Sequence, residues 1–142
     1  VSLSSGRLRL DGYKSALRRA GIEPQDDLIV LGDWTDESGE TAMYELLNRR
    51  SDVDGVFIAN DAMAIGALAA LDERGVDIPG QVAVVGFDNM FAGRIGRRQL
   101  TTVQQDVEAL GATAASMVIE AIQGASPKSV ILPTHLVVRE TA

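Results

Sequence analysis

Three short apolar runs punctuate the chain: Leu28–Leu31, Val56–Ala59 and Val82–Val85. Each has the length and branched content of a strand buried on both faces. Helical spacing fills the intervals. Arg7–Ala20 places Leu10, Tyr13, Leu17 and Ala20 on one face, and Asp36–Arg50 does the same with Ala42, Met43, Leu46 and Leu47. Ala62–Arg74 is apolar on every side, and Val107–Gln123 carries Val107, Leu110, Ala114, Met117 and Ala121 at helical spacing. Gly21, Gly75 and Gly124 stand where left-handed C-terminal caps are wanted. Thr35, followed by Asp36 and Glu37, reads as an N-cap with acids in the positive first turn.

Strands alternating with helices imply right-handed crossovers and an α/β, doubly wound parallel sheet covered on both faces. After Val85 the alternation stops. Gly86–Gln99 reads as a loop, and Val130–Val138 as a strand-like stretch whose Pro133 suits an edge or a strand start. Neither a low-complexity segment nor a linker marks a second domain.

Composition narrows the classes. A chain of 142 residues with 46% hydrophobic content can build the core of one domain or part of a larger one. A formal net charge of −7 gives the chain as a whole no footprint for nucleic-acid phosphates. With no cysteine there is neither disulfide nor thiol chemistry. The single His135 lies in an apolar run and reads as structural. No apolar run approaches a membrane span, and no signal peptide is visible. The opening VSLSSGRLRL has no initiator Met and is consistent with a fragment.

In an open parallel sheet, ligands bind beyond the carboxyl ends of the strands. After Leu31 come Gly32, Asp33 and Trp34, the only Trp; after Ala59 come Asn60 and Asp61; after Val85 come Gly86, Phe87, Asp88 and Asn89. Amides and carboxylates pair with neighbouring hydroxyls, and an aromatic face covers the apolar side of a sugar ring. The carboxylates want a cation, which Arg7 or Arg9 could supply. Each residue also has a plainer reading: Asp61 as the N-cap of the next helix, Asn60 and Asp88-Asn89 as turn formers, Trp34 as a core or interface aromatic. Catalytic motifs are missing. There is no G-x-G-x-x-G, no Walker loop and no G-x-S-x-G, and Asp52 and Asp54 lack the spacing of a calcium loop.

The strings RLRLDGYKSAL, GDWTDESG, VFIANDAMAIGAL, VAVVGFDN, LTTVQQDVEALG and LPTHLVVRETA, in this order, resemble the LacI/GalR family of bacterial transcriptional regulators over essentially the whole chain. The resemblance implies an effector-binding domain similar to type I periplasmic sugar-binding proteins. Residues 1–142 would be mainly its C-terminal lobe, without the DNA-binding head and the N-terminal lobe. The helix from about 106 to 123 would pack in the other lobe. By the same resemblance Ser5, Arg9, Trp34, Asn60, Asp88 and Gln105 form the ligand set, with Asp61 a helix cap. The first strand of the lobe would end before residue 1, leaving the sheet short of a central strand and the isolated stretch poorly stable.

The implied function is a cytoplasmic regulator, not an enzyme, with no cofactor, no metal and no membrane contact. Its effector is a small molecule, expected to be a sugar. It would act as a homodimer and reach operator DNA through the absent helix-turn-helix. The outer face of the all-apolar helix, with Met63, Gly66, Ala67 and Ala70, is assigned to the dimer interface; the alternative is burial within the lobe. A periplasmic sugar-binding receptor is the competing function, and a sugar-processing enzyme a more distant one.

Overall fold

The computed structural model describes residues 4–90, 94–95, 98–126 and 128–142. Helices α1 (Ser4–Arg19), α2 (Asp36–Arg49), α3 (Asp61–Glu73) and α4 (Val107–Ile122) accompany strands β1 (Gly55–Phe57), β2 (Ala83–Asp88), β3 (Arg94–Ile95), β4 (Arg98–Gln99), β5 (Thr101–Gln105) and β6 (Thr134–Val137). The main sheet runs β1-β2-β5-β6; β1, β2 and β5 are parallel, and β6 returns antiparallel to β5. The sheet is therefore mixed at one edge, where Pro133 directly precedes β6.

Helices cover both faces. Val56 pairs in register with Val84, and both meet the core that α2 and α3 close with Met43, Leu46, Ala64, Leu68 and Leu71. The neighbouring Phe57 points the other way and stacks on Tyr13 of α1, with ring centroids 6.3 Å apart. Alternation along one strand thus separates the two helical layers. As expected from the glycine positions, Gly21, Gly75 and Gly124 take left-handed φ values of 76°, 67° and 90°.

The predicted strand Leu28–Leu31 is not a ladder strand. A 3-10 turn covers Asp26–Leu28, and Ile29 is extended (φ −113°, ψ 119°), but no described residue pairs with the run. A groove of about 980 Å³ separates it from β1. Leu28, Val30, Val56 and Ile58 line its length, Tyr13 closes one side, and Leu46 the other. Its walls come from both helical layers, so the sheet itself is open there. Leu28 and Val30 of the run pack against the core, while Leu31 is 86% exposed.

β5 was not foreseen. Its sequence, TTVQQ, is polar, yet Thr101 and Thr102 are fully buried. Their hydroxyls are bonded: Thr102 donates to Asp61 at 2.7 Å, and Thr101 accepts the Arg139 backbone N–H at 2.8 Å. Satisfied hydroxyls remove the cost of burying threonine. The expected loop Gly86–Gln99 instead extends β2 to Asp88 and includes the short β3–β4 pair; residues 91–93 and 96–97 of it lie outside the described residues, as do residues 1–3.

α4 has no buried residue. Val107, Leu110, Val118, Ile119 and Ile122 are all more than half exposed, the last at 80%. No helix of the described residues is long and apolar enough to cross a membrane.

Candidate functional site

The carboxyl ends of β1, β2 and β5 bring Asn60, Asp88 and Gln105 together, and α1 contributes Arg9. The Arg9 guanidinium donates to Asp88 Oδ1 at 3.2 Å and to the backbone carbonyl of Ala59. Gln105 Nε2 donates to the same Asp88 oxygen at 2.7 Å. Both side chains of the ion pair are largely buried, 15% and 17% exposed, so the pair is less screened than a surface one. Arg9 also lies against two aromatics: its guanidinium carbon is 3.9 Å from the Phe87 ring centroid and 5.4 Å from that of Trp34. Arg7, the other candidate cation, pairs with Asp11 on the open surface of α1.

Trp34, Asp88 and Asn89 adopt positive φ values of 78°, 110° and 57°. Left-handed backbone at non-glycine residues is costly and collects at functional sites. Gly6 makes room for the Trp34 ring, since a Cβ there would stand 3.1 Å from it. Ser5 is exposed in the first turn of α1, next to Gly6. Asn89 donates to Gln104 at 2.9 Å and accepts from Arg139 at 2.9 Å.

Two assignments change. The N-cap of α3 is Asn60, whose Oδ1 accepts from Met63 N at 2.9 Å; Asp61 is the first helical residue. Asp61 is instead a buried tie. Its Oδ1 accepts from Thr102 and its Oδ2 from the Met90 backbone N–H at 3.1 Å. Burial pushes its carboxyl above the ordinary range, opposed by the Thr102 and Met90 hydrogen bonds and reinforced by the nearby Asp88 charge. Gly86 is required beside it, because a Cβ there would come within 2.5 Å of Oδ1.

The second change concerns Met63, Gly66, Ala67 and Ala70. All four are buried within the lobe, the three with side chains at 8%, 2% and 0% exposure. A Cβ on Gly66 would fall 1.9 Å from the Asp36 carbonyl oxygen, and one on Gly39 of α2 would fall 2.0 Å from that of Met63. The small residues let α2 and α3 touch backbone to backbone. This face of α3 is an internal helix contact, not a surface open to a second subunit.

Phe87 and Asn89, named among the strand-end residues but outside the expected ligand set, join the site's surroundings together with Gln104 and Arg139, which no expectation included. Phe87 and Asn89 flank Asp88 in sequence, which was a usable signal. Gln104 and Arg139 depend on the β5–β6 pairing, which no local pattern announced. His135 lies exposed on β6 opposite Gln104.

A mostly parallel α/β sheet with a polar, Arg-centred cluster beyond its carboxyl ends has its polar groups where open sheets of this class bind ligands. The chain belongs to the periplasmic binding protein-like domain family, whose model matches residues 1–142. It is 41% identical over 139 residues to the HTH-type transcriptional regulator CelR of Thermobifida fusca, covering 96% of this chain and 41% of that protein. It is 37% identical over 135 residues to the HTH-type transcriptional repressor PurR of Edwardsiella ictaluri, covering 95% of this chain and 40% of the repressor. Among solved structures, a complex of CelR with cellobiose superposes with TM-score 0.90 at 41% identity, over 94% of this chain and 42% of that one. A dimeric lac repressor lacking its last 11 residues superposes with TM-score 0.89 at 35% identity, over 99% of this chain and 51% of that one. The chain thus spans about two-fifths of the length of these curated relatives, which are LacI-family regulators.

Proposed function

We propose that this chain is the C-terminal lobe of the effector-binding domain of a ligand-responsive transcriptional regulator. The observation that carries the reading is the Arg9–Asp88–Gln105 cluster beside Trp34. Among the described residues both hydrogen bonds to the Asp88 carboxylate fall on Oδ1, and Oδ2 is the oxygen offered to a ligand hydroxyl. Trp34 offers a ring for the apolar side of a sugar. Ser5 and Asn60 complete the ligand set. The cellobiose bound by the related CelR supports a sugar as the effector class.

The regulator acts as a homodimer in the cytoplasm and reaches operator DNA through a helix-turn-helix outside this chain. The names of its relatives support the DNA-binding role, and a lac repressor dimer on its operator supports the assembly. The exposed apolar α4 packs in a second lobe across the ligand cleft. The effector acts only through its different affinity for the DNA-bound and released states.

The test is a thermal-shift screen of mono- and disaccharides, cellobiose included, on the whole protein, followed by promoter-DNA binding with and without each hit. A bound sugar raises the midpoint by mass action and changes DNA affinity. A panel in which no sugar does both overturns the reading.

A further inference from the structure

Asn60 and Asp61 are adjacent and buried, 8% and 1% exposed, and each reaches a different left-handed turn. Asn60 uses its carbonyl oxygen to cap α3 and its amide to donate to the Trp34 carbonyl at 3.0 Å, where φ is 78°. The Trp34 turn is otherwise held by local bonds, among them Thr35 N to Asp33 and Asp33 N to Ser38. The Asn60 bond ties it to the sheet. Asp61 accepts the Met90 N–H, directly after Asp88 and Asn89 with φ of 110° and 57°, while its other oxygen is anchored by Thr102 of β5.

From this geometry we infer that Asn60 and Asp61 form a two-residue clamp of positioning residues. Asn60 sets the turn that presents Trp34, and Asp61 sets the turn that aims Asp88 at Arg9 and Gln105. Strained backbone persists only where its surroundings over-determine it, and each of these turns has one such buried pin. Because the pins sit on consecutive residues at the start of α3, the two halves of the ligand set are referenced to one rigid point. The inference deepens the proposed function, since it rests on Trp34 and Asp88 as ligand contacts.

Three variants separate clamping from simple helix stability. Asn60→Asp keeps an oxygen to cap α3 but loses the donor to Trp34. Asp61→Ala removes the acceptor for Met90. Asp61→Asn keeps an acceptor for Met90 and can donate to Thr102, so it is the rescue. Hydrogen exchange of the whole ligand-free protein reads the outcome by segment. Asn60→Asp is expected to speed exchange about tenfold in residues 32–35 and leave 88–90 unchanged. Asp61→Ala should do the reverse, and Asp61→Asn should stay near the unsubstituted protein. Exchange rising alike in both segments and in β2 and β5, or in neither segment, overturns the clamp. Cellobiose calorimetry is the second arm, with affinity expected to fall about tenfold or more in Asp61→Ala; Asn60, itself in the proposed ligand set, is read by exchange alone. Absence of cellobiose binding by the unsubstituted protein would count against the cellobiose reading, and the exchange comparison would still decide the clamp.

Discussion

Asp88 shows how one side chain can be held in place by its neighbours and still keep an oxygen for the proposed ligand. Its Oδ1 is occupied by Arg9 and Gln105, so the carboxylate is aimed before any ligand arrives. Asp88→Ala removes the ligand acceptor and leaves the largely buried Arg9 without its partner. We expect effector affinity to fall about ten- to a hundredfold, the scale of lost hydrogen bonds to a charged group; titration calorimetry checks it, and unchanged affinity would remove Asp88 from the ligand set. Asp61 gives a pH signature. Its folded carboxyl titrates above the unfolded value near 3.8, so the folded state holds the proton more tightly. Stability contributed by this group therefore declines as pH rises from about 3.8 through the raised value. Asp61→Asn cannot ionise, so its stability relative to the unsubstituted protein should improve across that window and level off below it. Urea unfolding of both proteins across the acid range measures the difference, and a difference that does not vary with pH would contradict it. The Asn60-Asp61 pair also marks a limit of the sequence. That a polar pair ends an apolar strand was plain. Which member caps the helix was not, because either side chain can cap and only the position of Thr102 and Met90 decides.

At the scale of elements, α2 and α3 are joined by absent side chains more than by present ones. Gly66→Ala would drive a Cβ onto the Asp36 carbonyl, forcing the helices apart. Overpacking of this kind costs about 1–3 kcal/mol, and a lowered thermal midpoint without loss of the fold is the expected result; an unchanged midpoint would mean the helices separate freely. The helices themselves were legible, since caps and 3.6-residue spacing are local. The function of the α3 face was not: an all-apolar helix reports that it is covered, and only the backbone approach at Gly39 and Gly66 reports by what. β5 was hidden for a related reason. Thr101 and Thr102 look like surface residues until their hydrogen-bond partners, 41 residues away in the case of Asp61 and Thr102, are in place. Leu28–Leu31 erred the other way: its composition suits a strand, but ladder formation needs a neighbour, and the groove beside it supplies none among the described residues.

For the whole molecule, the groove and α4 set the stability of residues 1–142 on their own. The groove lies along the β1 edge of the sheet, and α4 holds Val107, Leu110, Val118, Ile119 and Ile122 in contact with solvent. Exposed apolar area on this scale is normally covered by a partner. Prepared as a separate 142-residue polypeptide, the chain is expected to bind a hydrophobic dye and to melt broadly; a sharp two-state transition of a dye-silent monomer would show that it needs no cover.

The position of α4 has a mechanical consequence. Gln105, bonded to Asp88, is followed at once by Asp106, the residue that caps α4. A ligand that shifted Asp88, as the proposed function has it, would act through Gln105 one residue from the base of this helix. At ~1.5 Å rise per residue, 16 residues make a lever of about 24 Å, so a rotation of about 5° at its base moves the tip by about 2 Å. Under the proposed function the cluster would thus sit at the base of an arm whose far end, Ile122, is apolar and 80% exposed.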